Sequence, residues 1–161
     1  MEMQLRLALP RDELSVPVAR RILSRSLDVL GVKDSVIADI ELALTEACTN
    51  VLDYATDSHE YELSAGIDGT ACVLEVIDRG AASTADEKGL RDAAAAAEDG
   101  RGIQLMRALV DKVTFTSKPQ VGTVVHLEKQ LEWPEGEVIE RLSERSAATE
   151  HGPWSEDRTP R

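Results

Sequence analysis

From Gln4 to Leu9 polar and apolar residues alternate, with Leu5, Leu7 and Leu9 on one side, the period of a half-buried strand that Pro10 ends. The period then lengthens. Asp12 is placed to cap a helix running to Gly31, with Leu14, Val18, Ile22, Leu23 and Leu27 expected on its core face. Asp34 or Ser35 opens a second helix, in which Val36, Ile40, Leu44, Ala47, Val51 and Ala55 recur every three or four positions over about five turns. Glu46, Asn50 and Asp53 fall on another stripe of that helix.

Residues Tyr61 to Ile67 and Ala71 to Ile77 alternate again, as two strands joined through Asp68-Gly69, and the second delivers Asp78 at its end. Residues 81–99 are small and charged, with an alanine run from Ala93 to Ala97 and no strong apolar stripe, so a loosely held segment is expected. From Gly102 a third helix carries Ile103, Leu105, Met106, Leu109 and Val110. Two strands follow, Lys112 to Ser117 and Gly122 to Lys129, with Gly122 marking the turn. This order predicts an α+β two-layer sandwich: a mixed, mostly antiparallel sheet of about five strands with about three helices on one face. Past Leu131 the composition shifts to Glu, Arg, Ser and Pro. Residues 1–130 are therefore expected to form one domain, and 131–161 an acidic, disordered tail.

A chain of 161 residues suits a single domain, which at this size buries roughly 65–70% of its unfolded surface. Only 3% of residues are aromatic against 42% hydrophobic, so Leu, Val, Ile and Ala must fill the core. The formal charge of −12 opposes a phosphate backbone and argues against direct nucleic-acid binding. Cys48 and Cys72 sit inside a helix and a strand pattern with no CxxC spacing, and His59, His126 and His151 are scattered, so no cysteine or histidine metal set is expected. The N-terminus lacks a signal pattern and no stretch is apolar enough to span a bilayer; a cytoplasmic location is expected.

Three places carry candidate chemistry. Glu46 and Asn50 stand four residues apart, so a carboxylate and an amide oxygen leave one helix face together. An amide oxygen suits Mg²⁺, which takes few protein ligands beside phosphates and water, and a carboxylate can take a proton from a hydroxyl. Asp78-Arg79-Gly80 puts a carboxylate at a strand end where glycine leaves backbone bare, a setting for an adenine amino group. Gly100-Arg101-Gly102 precedes a helix, where backbone amides and the dipole favour phosphate. Each alone is also what a solvated helix stripe, a turn or a loop end produces.

Together and in this order they resemble a known family. Glu46-Ala-Cys-Thr-Asn50, Asp78-Arg79-Gly80, Gly100-Arg101-Gly102-Ile103-Gln104-Leu105-Met106 and Gly122-Thr123-Val124-Val125 are similar to the N box and the three glycine boxes of the GHKL ATPases. Within these the chain most resembles the bacterial anti-sigma factor serine kinases, over about residues 4 to 130. The resemblance implies a Bergerat ATP-binding fold. It implies Asn50 as the Mg²⁺ ligand, Glu46 as general base, and Asp78 accepting from the adenine amino group above Gly80. Gly100 and Gly102 would close on the phosphates of ATP, Arg101 would face the terminal phosphoryl group, and Thr123 would support Asp78 or the adenine. Residues 81–99 would be a lid. The implied partners are a sigma factor and a STAS-domain anti-sigma antagonist phosphorylated on serine, with a homodimer also in the family's range.

Three features depart from the family pattern: Ala82 stands where the first glycine box commonly has a second glycine, Tyr54 where a histidine often follows the N box, and the lid of residues 81–99 is alanine-rich without the expected apolar and proline residues. They open an alternative, a kinase-inactive module of the same fold that acts by switching protein partners. A histidine-kinase catalytic domain shares the boxes, but the first strand begins almost at Met1 with no acceptor-histidine helix before it.

Overall fold

The computed structural model describes residues 3–53, 58–79, 100–118 and 122–134. Among them the chain runs β1 (Met3–Pro10), α1 (Ser15–Val29), α2 (Asp34–Asp53), β2 (Glu60–Asp68), β3 (Ala71–Asp78), α3 (Arg101–Leu109), β4 (Lys112–Lys118) and β5 (Gly122–Gln130). The five strands form one sheet in the order β1-β2-β3-β5-β4, and all four pairings are antiparallel. The α+β fold read from the sequence is present. The expected lid, Gly80, Ala82, Tyr54 and the residues beyond 134 lie outside the described residues.

One face of the sheet is buried by alternation: Tyr61, Leu63, Ala65 and Ile67 on β2, Cys72, Leu74 and Val76 on β3, Val125 and Leu127 on β5. Helix α2 crosses β3 and β5 with Ile40, Ala43, Leu44, Ala47, Cys48 and Val51 inward, and α1 and α3 pack on its two sides. The β2–β3 hairpin pairs Asp68 with Ala71, so the two loop residues are Gly69 and Thr70. Gly69, at φ +61°, supplies the left-handed conformation that its loop position requires.

The face of α1 differs from the expected one. Ser15, Val16, Ala19, Leu23 and Leu27 are buried, whereas Leu14, Val18 and Ile22 are 73%, 53% and 36% exposed. Periodicity alone admits both stripes, since Leu23 and Leu27 belong to either. Packing selects the stripe in which Ser15 reaches Tyr61 on the sheet while α1 lies against α2. Asp12 does not cap the helix as expected; its Oδ1 accepts from the Leu14 amide at 2.8 Å, and Leu14 occupies the cap position with no side-chain cap bond.

Two buried hydroxyls pair with one another between α1 and the sheet. Ser15 Oγ lies 2.7 Å from Tyr61 Oη, and burial pushes the Tyr61 phenol up from its ordinary range. On the other sheet face, His126 stands between Glu75 (3.0 Å) and Glu128 (2.8 Å), and Lys112 reaches Glu128 at 2.9 Å. Lys112, and next His126, lower the Glu128 carboxyl below its ordinary value.

Residues 131–133 pack against the rest of the described structure. Leu131 is buried and its amide donates to Thr70 O, Glu132 O accepts from the Lys33 amide at 2.9 Å, and Trp133 Nε1 donates to Leu30 O at 3.1 Å. The apolar Leu131 and Trp133 anchor this stretch to the end of α1.

Candidate functional site

The apolar rows of β3 and β5 end in polar residues on the same buried face. Asp78 and Thr123 are register partners across the two strands, 0% and 3% exposed. Gly122, just before Thr123, has φ +93°, and a Cβ there would overlap the Asp78 carbonyl oxygen and lie 2.8 Å from Arg79 Cα. Glycine at this position is what lets β5 start against the end of β3.

The Asp78 carboxylate is an ion-pair partner of Arg11, whose Nη1 donates to Oδ2 at 2.6 Å. The other arm, Nη2, donates to Val51 O at 2.7 Å, near the C-terminal bound of α2. Arg11 was not among the expected site residues. A lone arginine after Pro10 carries no sequence signal, because its partners are 40 and 67 residues away.

One residue before Val51 stands Asn50, and one turn earlier Glu46, both half-buried. Both face the first turn of α3: a Cβ placed on Gly102 would lie 3.0 Å from Glu46 Oε2 and 3.7 Å from Asn50 Oδ1. Glu46 and Asn50 thus leave one helix face, as their spacing of four implies, and the packing of α3 on α2 brings Gly102 to it. Asn50 Nδ2 is buried with no hydrogen-bond partner among the described residues. A buried unpaired polar group costs about 1–3 kcal/mol, which points to a ligand at this place.

Gly100 occupies the N-cap of α3 in an extended conformation, with no side chain capping the helix. The positive end of the α3 dipole thus opens beside Glu46 and Asn50, a geometry that favours an anion. Arg101, the first helical residue, is exposed. Gly80 lies outside the described residues. The described part of the site so has two halves joined by the end of α2: Glu46, Asn50 and the α3 N-terminus on one side, Arg11, Asp78 and Thr123 on the other.

A carboxylate buried beside a bare strand end, an unpaired amide and an uncapped helix start are the parts of a nucleotide site, and the sequence comparisons agree. The model of the histidine kinase-like ATPase domain matches residues 9–129, and the chain belongs to that family. Such a domain implies ATP as the ligand. Among solved structures, the crystal structure of the RsbU and RsbW domains of Rv1364c from Mycobacterium tuberculosis is similar at 26% identity and a TM-score of 0.62. The match covers 82% of this chain and 33% of that one, so this chain spans about a third of its length. No curated protein matches. Among the described residues no helix is long and apolar enough to cross a membrane.

Proposed function

We propose that this chain is an anti-sigma factor and protein serine kinase, which binds Mg-ATP, sequesters a sigma factor and phosphorylates a STAS-domain antagonist on serine in the cytoplasm. The observation that carries the reading is the convergence of Glu46 and Asn50 on Gly102 at the uncapped start of α3. The motif resemblance and the similarity to a chain with an RsbW domain support it.

The residues present fit Mg²⁺. Asn50 Oδ1 is a neutral amide oxygen that faces the start of α3, 3.7 Å from where a Cβ on Gly102 would lie, and no cluster of three or more His, Cys, Asp or Glu among the described residues offers an all-protein cage. A cation here would take Asn50 together with phosphates and water, the usual habit of Mg²⁺. When bound it would neutralise charge on the phosphates.

The chain's own residues supply the rest. Asp78 accepts from the adenine amino group, with Thr123 beside it, and glycine at Gly80 leaves room for the ring. Gly100 and Gly102 admit the phosphates to the α3 amides, and Arg101 opposes charge on the terminal phosphoryl group. Glu46 takes the proton of the acceptor serine as its oxygen bonds to the γ-phosphorus. The bond from that phosphorus to the bridging oxygen breaks, and ADP leaves. Such a base contributes on the order of 10²–10⁴ in rate.

The test is incubation of the full chain with labelled ATP and a STAS-domain protein. Serine phosphorylation by the wild type, reduced roughly a hundredfold or more in Glu46→Ala, is expected. Transfer undiminished in that variant would refute the role of Glu46. ATP binding without any transfer would favour the second reading, a kinase-inactive partner-switching module. A specific feature speaks for protein partners under either reading: α1 presents Leu14, Val18 and Ile22 on one exposed stripe.

A further inference from the structure

Asp78 is wholly buried, and the side chain of Arg11 is only 11% exposed. A guanidinium that donates to one oxygen of a buried carboxylate fixes the orientation of the group and so the direction in which its remaining lone pairs accept. The planar fork of Arg11 reaches Asp78 Oδ2 and Val51 O with two short bonds. Its backbone is held as well, by donation from the Arg11 amide to His59 O at 2.9 Å. The residue is thus tied by its backbone to His59, just before β2, and by its guanidinium to α2 and the end of β3.

The chemical consequence concerns what Asp78 can recognise. A carboxylate oxygen accepts hydrogen bonds, so a carboxylate held in place by Arg11 offers acceptors in a fixed direction. At position 6 the adenine ring carries an amino donor, and the hypoxanthine ring of ITP carries a carbonyl acceptor. A carboxylate kept as an acceptor favours the first and repels the second.

We propose that Arg11 is a positioning residue that sets purine preference: by pairing with Asp78 it holds that carboxylate as an acceptor for a 6-amino purine. This rests on the nucleotide-binding reading above. Arg11 touches no reacting atom, so its contribution lies in discrimination between bases and not in phosphoryl transfer.

Binding of Mg-ATP and Mg-ITP to the full chain is measured by calorimetry for wild type, Arg11→Gln, Arg11→Lys and Asp78→Asn, with folding checked by circular dichroism. Wild type is expected to prefer ATP over ITP. Arg11→Gln is expected to weaken ATP roughly tenfold or more, the scale of a lost charge-assisted hydrogen bond, while ITP changes far less, so that the ratio collapses. Arg11→Lys keeps the charge and is expected to restore most of the ratio. Equal losses of ATP and ITP in Arg11→Gln, or an Arg11→Lys protein whose ratio has also collapsed, would overturn the assignment. If Arg11→Gln does not fold, the Arg11→Lys ratio alone decides. Wild type that binds neither nucleotide overturns the nucleotide reading together with this proposal. ATP binding lost in Asp78→Asn but with an unchanged ratio in Arg11→Gln overturns the Arg11 assignment alone.

Discussion

Replacing Gly122 by alanine tests how β5 is set against the end of β3. Two costs add at this position. A side chain at φ +93° pays about 1–2 kcal/mol for the left-handed backbone. The new Cβ would also overlap the Asp78 carbonyl oxygen and approach Arg79 Cα to 2.8 Å, contacts with backbone that no rotamer change can relieve. Forcing such a displacement typically costs about 1–3 kcal/mol, so the sum is roughly 2–5 kcal/mol. Gly69 is the control: its φ is +61°, yet a Cβ there meets nothing within 4 Å. Gly69→Ala should therefore show only the backbone cost, about 1–2 kcal/mol. Urea unfolding of wild type and both variants, read by linear extrapolation, separates the two values. Gly122 lies beside Asp78, whereas Gly69 sits at the opposite end of β3, so only Gly122→Ala should also weaken ATP binding. A Gly122→Ala protein no less stable than Gly69→Ala would refute the packing account.

Asn50→Ala removes a buried amide nitrogen that has no described partner, so unfolding stability should hold or rise by about 1 kcal/mol while Mg-dependent ATP binding falls at least roughly tenfold. A large stability loss in urea would show that Asn50 serves the fold. Gly102→Ala would set a methyl 3.0 Å from Glu46 Oε2, and is expected to lower phosphoryl transfer more than it lowers stability, as measured by kinase assay beside thermal unfolding. Burial pushes the Cys72 thiol up to about 12 from the ordinary 9.0, and burial likewise raises Cys48 to about 12 against a weaker lowering by its bond with Tyr61. Their folded values stand above the unfolded ones, so their stabilising contribution is full below pH 9 and is lost as pH climbs from 9 towards about 12. At pH 8 neither thiol should react with dithionitrobenzoate until denaturant is added, and rapid labelling of native protein would contradict their burial.

Much of the fold is legible in the chain because its determinants are local. The alternation of β2 and β3, the three-four repeat of α2 and the glycine of the hairpin each lie within a few residues of one another, and each produced its element close to the expected bounds. The face of α1 was not legible, since Leu14, Val18 and Ile22 are as apolar as the stripe that is buried. Choosing between them requires the surfaces of the sheet and of α2. The anchoring of Leu131 and Trp133 was equally hidden, because their partners Thr70 and Leu30 are distant in sequence.

The site divides along the same line. A spacing of four residues was enough to put Glu46 and Asn50 on one helix face, because the helical period is a property of the backbone itself. That Gly102 closes on that face, that Asp78 and Thr123 meet in register, and that Gly122 has no room for a side chain were decided by the sheet order and by the packing of α3 on α2. The ion pair of Arg11 with Asp78 belongs wholly to the tertiary structure. Its energy depends on burial and on a 2.6 Å approach between residues 67 positions apart, and the linear chain records neither.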